Sequence, residues 1–118
     1  MRSTREIGDF YEDQAADFLA ARGYLILERK YRNEIGEIDI VAKDGDVLCF
    51  VEVKSSQTID YDPLEAVTPR KQRQLVRMAY CYLKEMNFGR IDVDCRFDVV
   101  AVSDEEGIQL VQNAFDAG

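Results

Sequence analysis

Two short apolar segments, at residues 37–43 and 47–54, constrain the fold of this chain most, because only the turn around Asp44-Gly45 separates them. An Asp-Gly pair between apolar segments is typical of a tight turn, so we expect a β-hairpin. Apolar residues fall on both faces of the two strands: Ile38, Ile40, Ala42, Val47, Cys49, Val51 and Val53 on one, and Val41, Leu48 and Phe50 on the other. Such strands lie inside a sheet that is covered on both sides.

The segments around the hairpin predict the helices that cover this sheet. Ser3 and Glu6 form a capping box for a helix over 3–22, and Thr68 and Pro69 begin a second helix that ends near 87–89. The predicted buried faces consist of Ile7, Phe10, Tyr11, Ala15, Phe18 and Leu19 in the first helix, and Leu75, Val76, Ala79, Leu83 and Met86 in the second.

Further strands are predicted at 24–31, 92–103 and 108–112, with a loop over 56–67 and a loose tail after residue 112. The order of elements is therefore α-β-β-β-α-β-β. It predicts a single α/β domain over residues 1–118, in which helices flank a mixed central sheet.

The absence of histidine restricts the chemistry that the chain can perform. It excludes zinc sites built on histidine and nucleophilic triads with a histidine base. Cys49, Cys81 and Cys95 are an odd and widely spaced set, which we interpret as reduced core residues. No apolar run reaches the roughly 20 residues of a membrane span. The N-terminus also lacks the apolar core of a secretion signal, so we expect a cytoplasmic protein without a membrane segment.

Four charged residues, Glu37, Asp39, Glu52 and Lys54, stand inside the apolar hairpin. The hairpin register decides whether the acids meet. With Asp44-Gly45 as a two-residue turn, Asp39 pairs with Phe50 and Glu37 with Glu52, which makes Asp39 and Glu52 diagonal neighbours on one face. A three-residue loop would place Asp39 on the opposite face.

Neighbouring carboxylates repel each other, and a divalent cation would remove that repulsion. Ligands that are all oxygen atoms favour Mg²⁺ or Mn²⁺. The backbone carbonyl of Val53 is a candidate third ligand, and Glu12 in the first helix is a candidate to complete the metal shell, directly or through water. Lys54 would orient or deprotonate a water molecule, or neutralise charge on a phosphate. The alternative, a solvated strand face with cross-strand ion pairs, stays open at this level.

The net charge of −8 disfavours non-specific binding of nucleic acid. Its distribution along the chain is uneven, however, because two basic clusters interrupt the acidic sequence. They consist of Arg29, Lys30 and Arg32 in the first, and Arg70, Lys71, Arg73 and Arg77 in the second. These clusters are candidates for a nucleic-acid-binding surface, and ordinary solvated surface is the alternative.

The segments Gly36-Glu37-Ile38-Asp39-Ile40-Val41-Ala42 and Phe50-Val51-Glu52-Val53-Lys54 resemble the PD-(D/E)xK, or restriction-endonuclease-like, superfamily. More narrowly, the chain resembles the small bacterial YraN family of predicted endonucleases, which is similar in architecture to the archaeal Holliday-junction resolvases. Further matches are Gly8, Glu12 and Ala15-Ala16, then Arg22-Gly23-Tyr24, the basic segment 29–32, Lys71, the segment 96–100 and Asn113-Ala114-Phe115.

This resemblance implies a magnesium-dependent endonuclease that hydrolyses phosphodiester bonds of DNA, with branched or damaged DNA as the expected substrate. It implies an active-site core of Asp39, Glu52 and Lys54, with Glu12 as an accessory acid. It also implies a phosphate contact for Lys71 and an outer position for Glu37. Arg96, in a buried strand, is expected to be structural.

Two further expectations concern partners. The likeness to the resolvases implies a homodimer. The sequence departs from the family at Ser56, where an arginine is usual, and this departure removes one expected phosphate contact. The alternative function is therefore a weakly active or inactive nuclease-fold module that acts by binding nucleic acid or a protein partner.

Overall fold

A five-stranded mixed sheet with one helix on each face forms the protein in a computed structural model, which describes residues 3–56, 67–86 and 93–117. The elements are α1 (Thr4–Ala21), β1 (Leu25–Arg32), β2 (Glu37–Asp44), β3 (Val47–Ser56), α2 (Pro69–Met86), β4 (Cys95–Ser103) and β5 (Gly107–Phe115). The strands lie in the order β1-β2-β3-β4-β5; β3 and β4 are parallel, and the other neighbours are antiparallel. The predicted α/β class and element order are confirmed.

Both faces of the sheet are apolar, as the hairpin pattern predicts. On one face, α1 packs through Ala15 and Leu19 against Ile40, Cys49 and Val51. The opposite face packs against α2 through a cluster that includes Val41, Phe50, Leu75, Met78 and Tyr82. Because β3 is the middle strand and is covered on both sides, charged side chains in it are costly unless they are compensated.

The hairpin register differs from the prediction by two residues. Asp44 pairs with Val47, so the two-residue turn is Gly45-Asp46 rather than Asp44-Gly45. Gly45 has a φ of 62°, a conformation that glycine adopts without steric cost, and this favours the observed turn. A shift of two residues leaves the side chains of the paired positions, 40–44 and 47–51, on their predicted faces.

The apolar face of Ile38 is predicted wrongly. Ile38 joins the α2-side cluster, whereas Ile40 joins the α1-side cluster as expected. The neighbouring strand shows the same break, because Lys30 has a φ of 55° and Tyr31, which pairs with Ile38, also turns to the α2 side. The regular alternation of side chains therefore breaks between Ile38 and Ile40.

Several helix positions also differ from the predicted faces. Ile7 and Phe10 are 43% and 42% exposed, and Met86 is 48% exposed. In α1, the acid Glu12 is buried instead and faces the cations of β1. In α2, the buried stripe runs through Met78 and Tyr82, which leaves Met86 outside it. The cap at Ser3 is confirmed, since its Oγ accepts a hydrogen bond from the Glu6 N–H at 3.2 Å.

The last strand is longer than predicted. β5 continues to Phe115, which pairs with Phe97 of β4 and stacks on its ring at a centroid distance of 4.8 Å, so residues 113–115 are not a loose tail. β4 begins at Cys95, three residues after the predicted start. The predicted loop falls largely, and the predicted end of α2 entirely, outside the described residues. No helix in the described parts of the chain combines the length and hydropathy needed to cross a membrane.

A buried ion pair fixes β4 to its surroundings. The Arg96 guanidinium donates to Asp98 Oδ1 at 2.8 Å and to Asp44 Oδ2 at 2.9 Å. Asp98 also accepts hydrogen bonds from the Tyr24 hydroxyl and the Asn113 N–H, so both of its oxygens are satisfied. Arg96 thus has the structural role expected of it.

Replacing Asp98 with Asn should destabilise the protein strongly, because it leaves the Arg96 guanidinium without its buried carboxylate. We expect a loss of about 3 kcal/mol in the free energy of unfolding. Urea unfolding followed by circular dichroism measures this change. Asp46→Asn, at the exposed turn, is the control and should change stability by less than about 0.5 kcal/mol. Equal values for the two variants would contradict the structural role of the network.

Candidate active site

The position of Asp39 is set by the place where β2 and β3 stop pairing regularly. Their ladder runs from Asp44 opposite Val47 to Ile40 opposite Val51. Beyond it, the Asp39 side chain replaces a backbone carbonyl, because its Oδ2 accepts a hydrogen bond from the Val53 N–H at 2.8 Å. Continuing the register would set Asp39 opposite Glu52, rather than opposite Phe50 as predicted. The carboxylate therefore lies at the separation between the two strands.

The break in side-chain alternation lies at the same place. Lys30, between the paired positions Arg29 with Ile40 and Tyr31 with Ile38, adopts the left-handed conformation that is unfavourable for a residue with a Cβ atom. Strained backbone of this kind is concentrated at functional sites. Here the left-handed residue, Lys30, lies opposite the point where β2 changes face, because Ile38 and Ile40 on either side of Asp39 pack against different helices.

Glu52 is the buried acid of the site, with 6% of its surface exposed. It lies in β3 and extends to the α2 side, where its Oε2 is 3.7 Å from Lys71 Nζ. That distance allows an ion pair but exceeds a good hydrogen bond. Among the described residues, Glu52 Oε2 has no hydrogen-bond partner. A buried carboxylate oxygen in this state is energetically unfavourable and available to a ligand.

Asp39 and Glu52 interact directly. The pKa of Asp39 is raised to about 8, chiefly by burial and then by the charge of Glu52 and a side-chain hydrogen bond with it. The hydrogen bond from the Val53 N–H opposes this shift, and the charge of Glu12 adds to it. The two carboxylates are thus brought together as predicted, and burial beside Glu52 favours the protonated form of Asp39 in the metal-free protein.

Glu12 of α1 is close enough to influence Asp39, but its own oxygens are occupied. Oε1 accepts from Arg29 Nε at 3.0 Å, and Oε2 accepts from Lys30 Nζ at 3.0 Å. Arg29 also binds Asp13 at 2.7 Å, and Lys30 binds Asp9 at 2.6 Å. The basic segment that follows the first helix therefore faces α1 and holds Glu12 in place.

A cavity of about 500 Å³ lies beside Asp39 and Glu12. Its lining includes Asp39, Val53 and Glu12, together with Glu37 and Arg32. Glu37 and Arg32 form an ion pair of 3.0 Å at its border.

The remaining predicted cations lie on the α2 side of the sheet. Lys54 is partly buried two residues beyond Glu52, so it shares the α2-side face of β3 with Glu52. Arg70 and Arg73 are exposed residues of α2, and they line a separate cavity whose lining includes neither Asp39 nor Glu52.

Lys71 reaches Glu52 because the start of α2 is anchored at two points. Thr68 Oγ1 accepts a hydrogen bond from the Lys71 N–H at 3.2 Å, which is the predicted cap. One turn later, Gln74 Nε2 donates to the Ile35 carbonyl at 2.7 Å. A Cβ atom on Gly36 would lie 2.6 Å from that same nitrogen, so the glycine of the motif allows the close approach. Gln74 was not predicted from the sequence, and its spacing of three residues from Lys71 was the available indication.

The donor set fits a hard divalent cation. It consists of the Asp39 and Glu52 carboxylates and, at the same strand edge as the Val53 N–H, the Val53 carbonyl. No group of three or more His, Cys, Asp or Glu residues in the described ranges is arranged to hold a metal, so Glu12 is not placed as a third acidic ligand. Two carboxylates are sufficient for Mg²⁺, which usually keeps several water molecules.

Comparisons with known proteins extend over the whole site. The family described as "Uncharacterised protein family UPF0102" matches residues 11–102, a range that contains every residue of the site. A UPF0102 protein of Prosthecochloris aestuarii is 50% identical over 98 residues, which cover 82% of this chain and 76% of the relative. The UPF0102 protein STH1475 of Symbiobacterium thermophilum is 47% identical over 121 residues, which cover 97% and 99%. A UPF0102 protein of Desulfosudis oleivorans is 42% identical over 119 residues, with coverages of 99% and 95%.

Replacing Asp39 with Asn should stabilise the metal-free protein. The raised pKa means that the folded state retains a proton that the unfolded state releases, so wild-type stability should fall as pH rises from 3.8 to about 8. An asparagine side chain at this position can still accept the Val53 hydrogen bond without that proton. We expect a gain of about 1 kcal/mol at pH 7 in EDTA and a flatter pH dependence, measured by thermal unfolding.

Glu37→Gln is the matched control, because it removes a carboxylate of the same hairpin from a mostly exposed ion pair. Its stability should stay within about 0.5 kcal/mol of wild type. A less stable Asp39→Asn protein at pH 7 would show that the carboxylate is not strained in the absence of metal.

Proposed function

This chain belongs to the uncharacterised protein family UPF0102, and we propose that it is a metal-dependent endonuclease that hydrolyses phosphodiester bonds of DNA. The observation that carries the proposal is the pair formed by Asp39 and Glu52, together with the buried Glu52 Oε2 that lacks a hydrogen-bond partner among the described residues. A structural carboxylate in the same sheet, Asp98, has both of its oxygens satisfied. The contrast supports a ligand-binding role for Glu52.

Asp39, Glu52 and the Val53 carbonyl would hold Mg²⁺ or Mn²⁺ in this proposal. When bound, such an ion would lower the pKa of a coordinated water molecule and neutralise charge on the scissile phosphate. The positive charge of such an ion would favour the ionised form of Asp39, whose pKa is raised by burial and by the charge of Glu52. The remaining ligands would be water, as is usual for Mg²⁺.

Lys54 is proposed to orient or deprotonate the attacking water, or to neutralise charge that develops on the phosphate. Its place on the face of β3 that carries Glu52 supports this role. Glu12 is proposed to act by its negative charge and through water, since Arg29 and Lys30 already engage its two oxygens.

DNA is the proposed substrate because cations border both acids. Arg32 lines the cavity that contains Asp39, and Lys71, which forms an ion pair with Glu52, lines a second cavity together with Arg70 and Arg73. Branched or damaged DNA is the substrate class that follows from the likeness to the resolvases. Lys71 is the candidate for a contact with the scissile phosphate, because its ammonium is 3.7 Å from Glu52 and is not held by a short hydrogen bond to it. Arg29 and Lys30 are assigned a supporting role, since they bind the acids of α1.

Cation binding and DNA cleavage test the proposal together. Calorimetric titration with Mn²⁺ and Mg²⁺ should show binding to wild type that is lost in Asp39→Asn. A panel of duplex and branched DNAs should be cleaved by wild type only when the cation is present. Glu52→Gln and Lys54→Ala should each lower the cleavage rate by at least about 100-fold, because each removes a group that acts on the reacting atoms.

Matched controls separate these effects from general changes in charge. Asp46→Asn and Lys43→Ala remove an acid and a cation from exposed positions of the same hairpin, and both should retain the wild-type rate. Cleavage that persists in Glu52→Gln and in Lys54→Ala would overturn the mechanism. The absence of both cation binding and cleavage in wild type would overturn the proposed activity itself.

A further inference from the structure

The two helices carry opposite charge on opposite faces of the sheet. α1 contains five acids and one cation, whereas α2 contains five cations and one acid. Because α1 and α2 pack on different faces, this difference separates charge across the molecule. The net charge of −8 therefore does not describe the face that α2 forms.

A cavity of about 610 Å³ follows the first half of α2. Its charged lining residues are all cations, namely Arg70, Lys71, Arg73 and Arg77. We name this lining the α2 cation surface. Arg70, Arg73 and Arg77 are exposed, and Lys71 is partly buried. Within the described residues, the ion pair between Lys71 and Glu52 is the one that these four cations form.

In the other basic cluster, every cation is already paired with a carboxylate. Arg29 and Lys30 are held by Asp9, Glu12 and Asp13 of α1 at 2.6–3.0 Å. Arg32, the third member, pairs with Glu37 at 3.0 Å. Cations held by carboxylates at hydrogen-bonding distance gain little from a phosphate, because they must first give up a partner. Lys71 differs, since its ammonium is 3.7 Å from Glu52, beyond a good hydrogen bond. The α2 cation surface is therefore the better site for an anion.

The spacing of the arginines suits a polymer rather than a single small anion. Arg70, Arg73 and Arg77 follow the helical spacing that places side chains on one side of α2. They span about 10.5 Å along the helix axis, at 1.5 Å per residue. The same length corresponds to about three base pairs of a DNA strand at 3.4 Å per phosphate. Lys71 connects this row to the acids of the site through Glu52.

We propose that the α2 cation surface binds the phosphate backbone of the nucleic acid beside the scissile bond. The strand would then run along α2, on the side of the molecule where α2 covers the sheet. The inference rests on the proposed function for the identity of the ligand as DNA. Lys71 lies at the end of the row that adjoins Glu52, and Arg70, Arg73 and Arg77 hold the neighbouring phosphates. The cluster of Arg29 and Lys30 is not a phosphate site in this arrangement.

Asp116, in the described part of the chain, lies next to this surface, and its removal should have the opposite effect on binding. Asp116 lines an adjoining depression together with Arg73 and Arg77. Its negative charge opposes the approach of a phosphate, so Asp116→Asn should strengthen DNA binding by about twofold. Because Asp116 is exposed near the end of the described chain, the substitution is not expected to disturb the fold.

The experiment measures DNA binding without cleavage. Fluorescence anisotropy of a labelled duplex in EDTA, at about 50 mM salt and above, gives both the affinity and its salt dependence. The test variant is R70Q/R73Q/R77Q, and the matched control is R22Q/K43Q/K84Q, which removes the same charge from exposed positions outside the cavity. The test variant should bind at least about tenfold more weakly, with a salt slope smaller by about 2–3. The control should stay within about twofold of wild type.

The outcomes separate this inference from the proposed activity. Selective loss of binding in R70Q/R73Q/R77Q, without cleavage of any DNA by wild type in Mg²⁺, would support the surface and remove the nuclease. Cleavage by wild type with equal weakening in both triple variants would keep the nuclease and overturn the surface. No DNA binding by wild type in EDTA would also overturn it. Equal competition by polyglutamate, charge for charge, would show a general polyanion site and overturn the assignment to nucleic acid.

Discussion

The mutual repulsion of Asp39 and Glu52 at the centre of the sheet is the constraint on which the rest of the structure depends. β3 is covered by a helix on each face, so an acid placed there needs compensation from its neighbours. Two groups provide it directly: the Val53 N–H donates to Asp39 within the sheet, and Lys71 of α2 forms an ion pair with Glu52. On the other face, Arg29 and Lys30 bind Glu12 of α1, whose charge also acts on Asp39. Both helices therefore contribute a charged side chain that interacts with this pair.

Two buried acids of the same sheet show what that arrangement costs. Asp98 accepts hydrogen bonds at both oxygens and stabilises β4, whereas Glu52 retains an oxygen without a hydrogen-bond partner in the described chain. The second arrangement is unfavourable for folding and favourable for binding a cation. Functional sites commonly reduce the stability of a protein. The left-handed conformation of Lys30 beside Asp39 is a second unfavourable feature of this kind.

The sequence predicted the faces of the hairpin better than its register. The Asp-Gly rule placed the turn one residue too early, but a shift of two in pairing leaves the paired positions, 40–44 and 47–51, on their predicted faces. Asp39 lies beyond that ladder and still interacts with Glu52. The change of face at Ile38 could not be predicted, because it depends on the backbone of Lys30 in a neighbouring strand. The pairing of Arg29 and Lys30 with acids of α1 depends on how the helix packs against β1, which residue spacing along the chain does not specify.

Charge distribution shows most clearly why a folded structure changes the interpretation of a sequence. The total of −8 disfavoured nucleic acid, and that argument treats all charges as one sum. The sheet instead separates an acidic helix from a basic one, and the acids of α1 neutralise a basic cluster on their own side. Interactions beyond about 8–10 Å are screened in physiological salt, so a phosphate at α2 is governed by the nearby arginines rather than by acids across the sheet. A strongly acidic chain can therefore present a local surface suited to DNA.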